Sequence, residues 1–198
     1  MIAKRIFDVL VSSLGLLLLS PLMLAIAVAV KLDSPGPVFF RQERVGRYGR
    51  TFRIHKFRSM VSDADRRGGP LTVGRDPRVT EVGQVLRRYK LDEIPQLIDV
   101  VRGKMSLVGP RPELPRYVDR YPIEDRAVVL SVRPGITDRA SVAFLDESSL
   151  LAQAADPENA YIREILPVKL RAYRAYVEGR TFGGDLRILL ETLFAIAR

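Results

Sequence analysis

Residues 91–113, LDEIPQLIDVVRGKMSLVGPRPE, contain the most informative pattern in the chain. Its apolar residues recur with the i, i+3, i+4, i+7 spacing of one helix face: Ile94, Leu97, Ile98 and Val101. Pro95 suits the first turn of such a helix, and Gly103 suits the left-handed position just past its end. The pattern therefore predicts a helix that begins near Asp92 and Glu93 and ends before Gly103.

Asp92 and Glu93 are expected at the N-terminus of this helix, where free amides and the positive end of the dipole favour anions. We expect both carboxylates to stay ionised. Neighbours on a helix point about 100° apart, so one acid can attack a substrate while the other holds a metal ion. The simpler alternative is that both are ordinary first-turn carboxylates, which are common at helix N-termini.

Basic residues surround this acidic pair on both sides. Residues 106–111 are predicted to form a strand that ends in the stiff Pro110-Arg111-Pro112 loop, whose charged fork suits a phosphate. Residues 80–89 are predicted to form a short helix that brings Arg87, Arg88 and the following Lys90 beside Asp92. Cations at this distance lower carboxylate pKa values and attract a diphosphate.

The composition limits the possible partners and cofactors. The chain has 198 residues, a net charge of +9 and a pI of about 10.2. These values favour acidic partners, namely nucleic acid, anionic lipid or a phosphorylated substrate. Cysteine is absent, which excludes a thiol nucleophile. His55 is the single histidine, which excludes a metal site with several histidines and means that a Ser-His-Asp triad would have to contain His55. A metal ion would need oxygen ligands, which favours Mg²⁺ or, as a second possibility, Mn²⁺.

The N-terminal segment, residues 1–32, is predicted to be a membrane element. The 22 residues from Val9 to Val30 carry no charge, enough to cross a bilayer core of about 30 Å. Ser20-Pro21 interrupts them near the centre, however, and leaves arms of roughly 15–18 Å each. Basic residues flank both ends, which places both on the cytoplasmic side. These observations favour a re-entrant helix-hairpin, with a kinked transmembrane helix as the alternative. We expect the segment to be retained rather than removed as a signal peptide.

Residues 33–198 are expected to form one cytoplasmic catalytic domain. Residues 38–40 and 52–57 are predicted strands, joined at residues 46–49 into a small β-hairpin. The hairpin region is strongly basic, and this charge either forms a solvated face or attracts anionic membrane lipids at about 1 kcal/mol per charge; its cations are Arg41, Arg44, Arg47, Arg50, Arg53 and Lys56. Residues 62–78 are predicted to be a loop over the site.

The C-terminal part is predicted to be helical. Helices are expected at residues 114–130, interrupted by Pro122, and from Asp156 to Glu178, kinked at Pro167; residues 133–137 are a predicted tight basic loop. The last helix is amphipathic and either packs in the core or lies on the membrane as an interfacial helix; its apolar face comprises Leu186, Leu189, Leu190, Leu193, Phe194 and Ala197. The predicted class is therefore helix-dominated α+β.

The motifs resemble those of the small monotopic bacterial phosphoglycosyl transferases, also called bacterial sugar transferases. The resemblance covers nearly the whole chain. It rests on LDEIPQL (91–97) and GKMSLVGPRP (103–112), and continues in KLDSPGPVFFRQ (31–42), KFRSM (56–60), DPRVTEVGQVLRRYKLDE (76–93), RPGIT (133–137) and GDLRIL (184–189). The chain departs from the family pattern at Lys90, where serine or threonine is frequent, and at Asp138-Arg139, where Gly-Trp often follows.

This resemblance implies a specific reaction at the cytoplasmic face of the bacterial inner membrane. A UDP-sugar would be the donor and undecaprenyl phosphate the acceptor, in the first membrane step of polysaccharide assembly. Asp92 would be the nucleophile and form a covalent aspartyl phosphosugar, while Glu93 would hold Mg²⁺.

The resemblance also implies further site residues. Lys56 is similar to an active-site lysine and Asp185 to a carboxylate near the active site, and Arg133 belongs to a motif near the nucleotide. With Arg111, the pair Arg87 and Arg88 would bind phosphate.

Two other function classes remain open on the sequence alone. A nucleic-acid-binding protein would explain the charge, but not the uncharged segment or the acidic pair, so we expect no nucleic-acid partner. A non-catalytic membrane scaffold would explain the anchor and the charge without needing Asp92, Glu93 and Arg111 together. The sequence sets neither the sugar, the pathway nor the oligomeric state.

Overall fold

The computed structural model describes residues 2–144 and 147–196. The helices are α1 (Ile2–Asp33), α2 (Ala64–Arg67), α3 (Glu81–Arg88), α4 (Gln96–Val101), α5 (Pro115–Val118), α6 (Ile123–Val129), α7 (Arg139–Ala143), α8 (Glu147–Leu151), α9 (Pro157–Ala160), α10 (Leu166–Gly179) and α11 (Phe182–Ile196). The strands are β1 (Phe39–Val45), β2 (Thr51–Phe57), β3 (Ser106–Val108) and β4 (Gly135–Thr137). The predicted helix-dominated α+β class is confirmed.

Helix α1 is the apolar N-terminal element. Among the described residues it is the one helix long and apolar enough to cross a membrane, judged by length and composition. It continues through Pro21, and Ser20 Oγ donates a 2.7 Å hydrogen bond to the Leu17 carbonyl. The apolar helix is thus confirmed as an element, whereas the re-entrant path remains a prediction.

Both ends of α1 contact the same globular body. Near the N-terminus, Lys4 Nζ donates to Asp185 Oδ2 at 2.7 Å and Asp8 accepts from Ser106 Oγ at 2.7 Å. Near the C-terminus, Ile26 and Val30 are buried against Phe57 and Leu86 of the body. The leucines between these contacts are largely exposed; they include Leu14, Leu17, Leu18, Leu22 and Leu24.

Strands β1 and β2 form the predicted antiparallel hairpin. Their register runs from Phe39 opposite Phe57 to Val45 opposite Thr51, so β1 extends further than the predicted residues 38–40. A 3₁₀ turn connects the strands, with Tyr48 at φ 59° and Gly49 at φ 74°. The hairpin places Lys56 at the end of β2 that faces the central segment.

The PRP loop, defined as residues 109–112, is fixed by a parallel pair that the sequence did not indicate. Strand β3 pairs with β4, with Ser106 opposite Gly135 and Val108 opposite Thr137. The two chains approach so closely that a Cβ on Gly135 would lie 2.1 Å from the Gly109 nitrogen. Residues 135–137, predicted as part of a loop, are therefore a strand that supports the PRP loop.

Helices α5–α7 and α10 enclose the main core with the π-turn Tyr161–Ile165. Pro167 lies in the first turn of α10, so the predicted kinked helix is instead α9, a π-turn and α10. Asp138 accepts from the Ala140 and Ser141 amides and caps α7, which gives this departure from the family pattern a structural role.

Helix α11 packs on β3 through Ile188. Most of its predicted apolar face is exposed, notably Leu190, Leu193 and Phe194, and Ala197 lies outside the described residues. Core packing therefore does not account for the whole face.

Candidate active site

Asp92 and Glu93 lie in a 3₁₀ turn, Leu91–Glu93, rather than in the first turn of the α-helix. Two residues separate this turn from helix α4, and the second of them, Pro95, is the N-cap of the helix. The chain enters the turn through Lys90 at φ 55°, and leaves α4 through Gly103 at φ 77°. The predicted helix and its glycine stop are confirmed, but the helix begins at Gln96 rather than near Asp92. From the extra turn, Glu93 contacts Lys56 of β2 and Arg111 of the PRP loop, and Asp92 lies near Lys56.

The Glu93 carboxylate forms short ion pairs with two cations, Lys56 and Arg111. Glu93 Oε1 accepts from Lys56 Nζ at 2.7 Å and from Arg111 Nη2 at 2.6 Å, and Oε2 lies 3.4 Å from Arg111 Nη1. Burial alone would raise the pKa of this carboxyl, but the Arg111 and Lys56 charges outweigh it and hold the pKa well below the ordinary value. The Glu93 charge in turn raises the pKa of Arg111 well above its usual range.

Asp92 lies in a different electrostatic environment. Its side chain is buried, and its closest cation is Lys56, with Nζ 3.9 Å from Oδ2. Burial, reinforced by the Glu93 charge, raises the pKa of Asp92 despite the opposing charges of Lys56, Arg87 and Lys90. The sequence predicted that Arg87, Arg88 and Lys90 would lower both carboxylate pKa values. The Glu93 pKa is lowered, but by Arg111 and Lys56, and the Asp92 pKa is raised because desolvation outweighs its neighbouring cations.

The two carboxylates line a cleft of about 1960 Å³. Arg87 and Arg88 line it too, as the prediction of a phosphate-binding helix requires. Arg87 donates to Ser59 Oγ at 2.9 Å and to Thr72 Oγ1 at 2.8 Å, which links α3 to the loop over the cleft. The Arg88 guanidinium lies 5.6 Å from the ring centre of Tyr89.

The structure places two predicted site residues outside this cleft. Arg133 Nε donates to the Gly103 carbonyl at 2.9 Å, just past the C-terminal end of α4. Asp185 pairs with Lys4 and accepts from Tyr176 Oη at 2.8 Å. Neither residue lines the cleft. Helix α11 places Asp185 beside Lys4 at the N-terminal end of α1 instead.

Two buried residues near the site were not assigned a role from the sequence. His55 Nδ1 lies 2.7 Å from Asp99 Oδ1, and the Asp99 carboxylate also accepts from the His55 amide at 2.8 Å. This pair joins β2 to α4, so it fixes Lys56 relative to Glu93. Arg58 donates to the carbonyls of Val30, Ser34 and Pro35 and secures the C-terminal end of α1. The KFRSM motif, residues 56–60, contains Arg58, and this motif was the feature of the sequence that could have indicated a role for it.

The carboxylates fit a hard divalent cation only as part of a substrate complex. No group of three or more His, Asp or Glu side chains suited to a metal occurs within the described residues. Mg²⁺, however, commonly binds through one or two carboxylates and completes its shell with water and substrate phosphates. Of the four oxygens of this acidic pair, Glu93 Oε2 and the two of Asp92 make no ion pair shorter than 3.4 Å within the described residues. The donor types therefore fit Mg²⁺ when a diphosphate is present.

Comparison with known proteins gives matches along the whole chain. The family described as bacterial sugar transferase matches residues 1–198. A protein of Aeromonas hydrophila, named UDP-N-acetylgalactosamine-undecaprenyl-phosphate N-acetylgalactosaminephosphotransferase, is 48% identical over 198 residues, covering 98% of this chain and 43% of the relative. The UDP-glucose:undecaprenyl-phosphate glucose-1-phosphate transferase of Escherichia coli (strain K12) is 46% identical over 167 residues. The match covers 81% of this chain and 36% of that relative.

A shorter relative from Bacillus subtilis (strain 168) carries the name "Putative undecaprenyl-phosphate N-acetylgalactosaminyl 1-phosphate transferase". It is 38% identical over 136 residues, covering 69% of this chain and 72% of the relative. The chain spans less than half the length of the two relatives described before it.

Proposed function

The chain belongs to the bacterial sugar transferase family, and from this premise we propose that it transfers a phosphosugar from a UDP-sugar to undecaprenyl phosphate. The products are UMP and undecaprenyl diphosphosugar. The observation that carries the proposal is the cluster of Asp92, Glu93, Lys56 and Arg111 in one cleft. The long apolar helix α1, which by length and composition could enter a membrane, suits a lipid acceptor.

Asp92 is the nucleophile of the proposed reaction. A carboxylate oxygen of Asp92 bonds to the sugar-bearing phosphorus, and the bond from that phosphorus to the bridging oxygen breaks and releases UMP. A phosphate oxygen of the lipid then attacks the same phosphorus and releases Asp92. Among the two acids, Asp92 is the one without a short ion pair, since Glu93 is held by Lys56 and Arg111.

The cations of the cleft bind the phosphates. Arg111 presents a planar fork on a stiff loop, and Lys56 is a point charge within reach of both acids. Arg87 approaches from α3 through its contacts with Ser59 and Thr72. Together they stabilise the charge on the transferred phosphoryl group.

Mg²⁺ is the expected cofactor, with Mn²⁺ as a substitute. Glu93 would hold it, and the bound ion would neutralise the diphosphate charge. The chain's own part is to keep Glu93 ionised, which the adjacent Arg111 and Lys56 charges do.

We propose that α1 enters the membrane from the cytoplasmic face and returns to it. Lys4 and Asp8 at one end, and Val30 at the other, contact the same body. A helix that crossed the bilayer would carry its first residues away from that body. The exposed leucines between the two contacts, together with the exposed face of α11, are the surfaces suited to lipid.

The test is release of UMP by purified protein in detergent or lipid particles, with undecaprenyl phosphate and a panel of UDP-sugars. Multiple turnovers with at least one UDP-sugar, dependent on the lipid, are expected. A protein that releases no UMP, yet binds DNA with steep salt dependence, would be a nucleic-acid-binding protein. Absence of both activities, with membrane binding intact, would favour the scaffold.

A further inference from the structure

The cleft contains a second group of polar side chains beyond the phosphate site. We call it the distal cluster; it comprises Arg44, Glu113, Tyr117, Glu147, Tyr161 and Lys169, all of which line the same cleft as Asp92. We propose that the distal cluster binds the hydroxyl groups of the sugar carried by the donor. The proposal rests on the proposed function, and it adds the residues that would select the sugar.

The distal cluster is held together by hydrogen bonds and ion pairs. Tyr161 Oη donates to Glu113 Oε1 at 2.7 Å. Lys169 Nζ pairs with Glu147, lies 3.9 Å from Glu113 Oε1 and sits 4.9 Å from the centre of the Tyr161 ring. Arg44 Nη1 lies 3.9 Å from Glu113 Oε2. Buried ion pairs of this kind add little net stability, so stability alone does not account for them.

Part of the cluster's hydrogen-bonding capacity is unused. Arg44 Nε and Tyr117 Oη are buried and have no hydrogen-bond partner among the described residues. Buried polar groups normally have partners. Burial also raises the pKa of Tyr117 to about 12, so this hydroxyl keeps its proton and can donate. A ligand in the cleft would supply the missing partners.

Charge balance distinguishes the distal cluster from the phosphate site. Arg44 and Lys169 are matched by Glu113 and Glu147, so the two cations and two carboxylates cancel. At the phosphate site, the cations Lys56, Arg87 and Arg111 outnumber the two carboxylates. A neutral group with both donors and acceptors matches the hydroxyls of a sugar. The Tyr117 and Tyr161 rings belong to the main core, with centres 4.7 Å apart, and they support the cluster.

The PRP loop sets the distance between the two groups. Arg111 contacts Glu93 in the phosphate site, whereas Glu113 contacts Tyr161 in the distal cluster. Residues two apart in an extended chain have Cα atoms about 7 Å apart, a distance that one sugar ring can bridge. A donor whose sugar-bearing phosphorus lies at Asp92 therefore has its sugar within reach of Glu113.

Glu147 is the best residue for a test, because 26% of its side chain is exposed and it is the least buried carboxylate of the cluster. Glu178→Gln is the matched control, since Glu178 makes an exposed ion pair with Arg174 outside the cleft. Tyr117→Phe removes only a hydroxyl that has no partner among the described residues, so it keeps the test valid if Glu147→Gln fails to fold.

The measurement is kcat/KM for UDP-glucose, UDP-galactose and their N-acetylamino counterparts, together with the inhibition constant of UMP. We expect wild type to prefer one sugar, and Glu147→Gln or Tyr117→Phe to reduce that preference about tenfold, the effect of one lost hydrogen bond to a charged or buried group. Glu178→Gln should keep the preference for that sugar, and in every variant the inhibition constant of UMP should change less than about twofold.

Three results would overturn the proposal. A uniform fall with all four sugars would assign the cluster a structural role. An equal weakening of inhibition by UMP would mean that the distal cluster binds the ribose of the nucleotide instead of the sugar. An unchanged preference in both variants would mean that the sugar lies elsewhere. Absence of UMP release by wild type with every donor is different, because it would reject the proposed function itself.

Discussion

Replacing Glu93 with glutamine tests the electrostatic core of the site. The substitution keeps the shape of the side chain and removes the charge that Lys56 and Arg111 share at 2.7 and 2.6 Å. Removing one partner of a buried ion pair typically costs about 3–5 kcal/mol, because it leaves an uncompensated buried charge. Asp92 remains 3.9 Å from Lys56 and offsets part of that loss. We therefore expect the free energy of unfolding to fall by about 3 kcal/mol at pH 7.

The pH dependence of this loss follows from the pKa of Glu93. Because the folded state holds that pKa well below its ordinary value, the Glu93 charge stabilises the protein above the unfolded pKa of about 4.3. This stabilisation is lost as the pH falls through the folded pKa. The difference in stability between wild type and Glu93→Gln should therefore be full at pH 7 and shrink progressively below about pH 4.

The assay is denaturant unfolding of both proteins in the same detergent between pH 3.5 and 7.5. Glu191→Gln serves as the control, because Glu191 pairs with Arg187 at 2.7 Å on an exposed helix face. Such surface pairs contribute about 0.3–0.5 kcal/mol. A loss below about 1 kcal/mol for Glu93→Gln at pH 7, or a loss that does not depend on pH, would show that the Glu93 charge does not stabilise the folded protein in this way.

Three further predictions concern the membrane, the metal and the phosphate fork. Tags fused to the two ends of the chain should both be cytoplasmic. Replacing Ser20-Pro21 with two leucines should move the N-terminal tag to the periplasmic side. A periplasmic N-terminus in wild type would contradict the re-entrant path. UMP release should require Mg²⁺ or Mn²⁺ and stop in EDTA, whereas full activity in EDTA would remove the metal-binding role of Glu93. Arg111→Lys keeps the charge but loses the two-pronged contact with Glu93, so kcat should fall about 10–100-fold, and unchanged kinetics would exclude the fork from catalysis.

The local elements of the site could be predicted because their signals are local. Apolar spacing and Gly103 defined α4, which runs from Gln96 to Val101 with Gly103 at a positive φ. Alternation and turn residues defined the β1–β2 hairpin. The motifs then placed Lys56, Asp92, Glu93 and Arg111 together, and the structure brings all four into one cleft.

The features that the sequence did not reveal depend on distant contacts. Strand β4 has three residues and pairs with a strand 29 positions earlier, so neither periodicity nor turn chemistry marks it. The raised pKa of Asp92 arises from burial, which a list of neighbouring charges omits. Asp185 carries no local sign of its partner Lys4, which lies at the other end of the chain.

Trapping the covalent intermediate tests directly whether Asp92 is the nucleophile. Wild type is incubated with UDP-sugar labelled in the sugar-bearing phosphate and no lipid, then digested and mapped. Label is predicted on one peptide, at Asp92, and Asp92→Asn should bind the donor but acquire none and lose several orders of magnitude in turnover. Label on Glu93 would reverse the roles of the two acids. Absence of any label, with kinetics that require donor and lipid bound together, would contradict the account and establish direct transfer to the lipid.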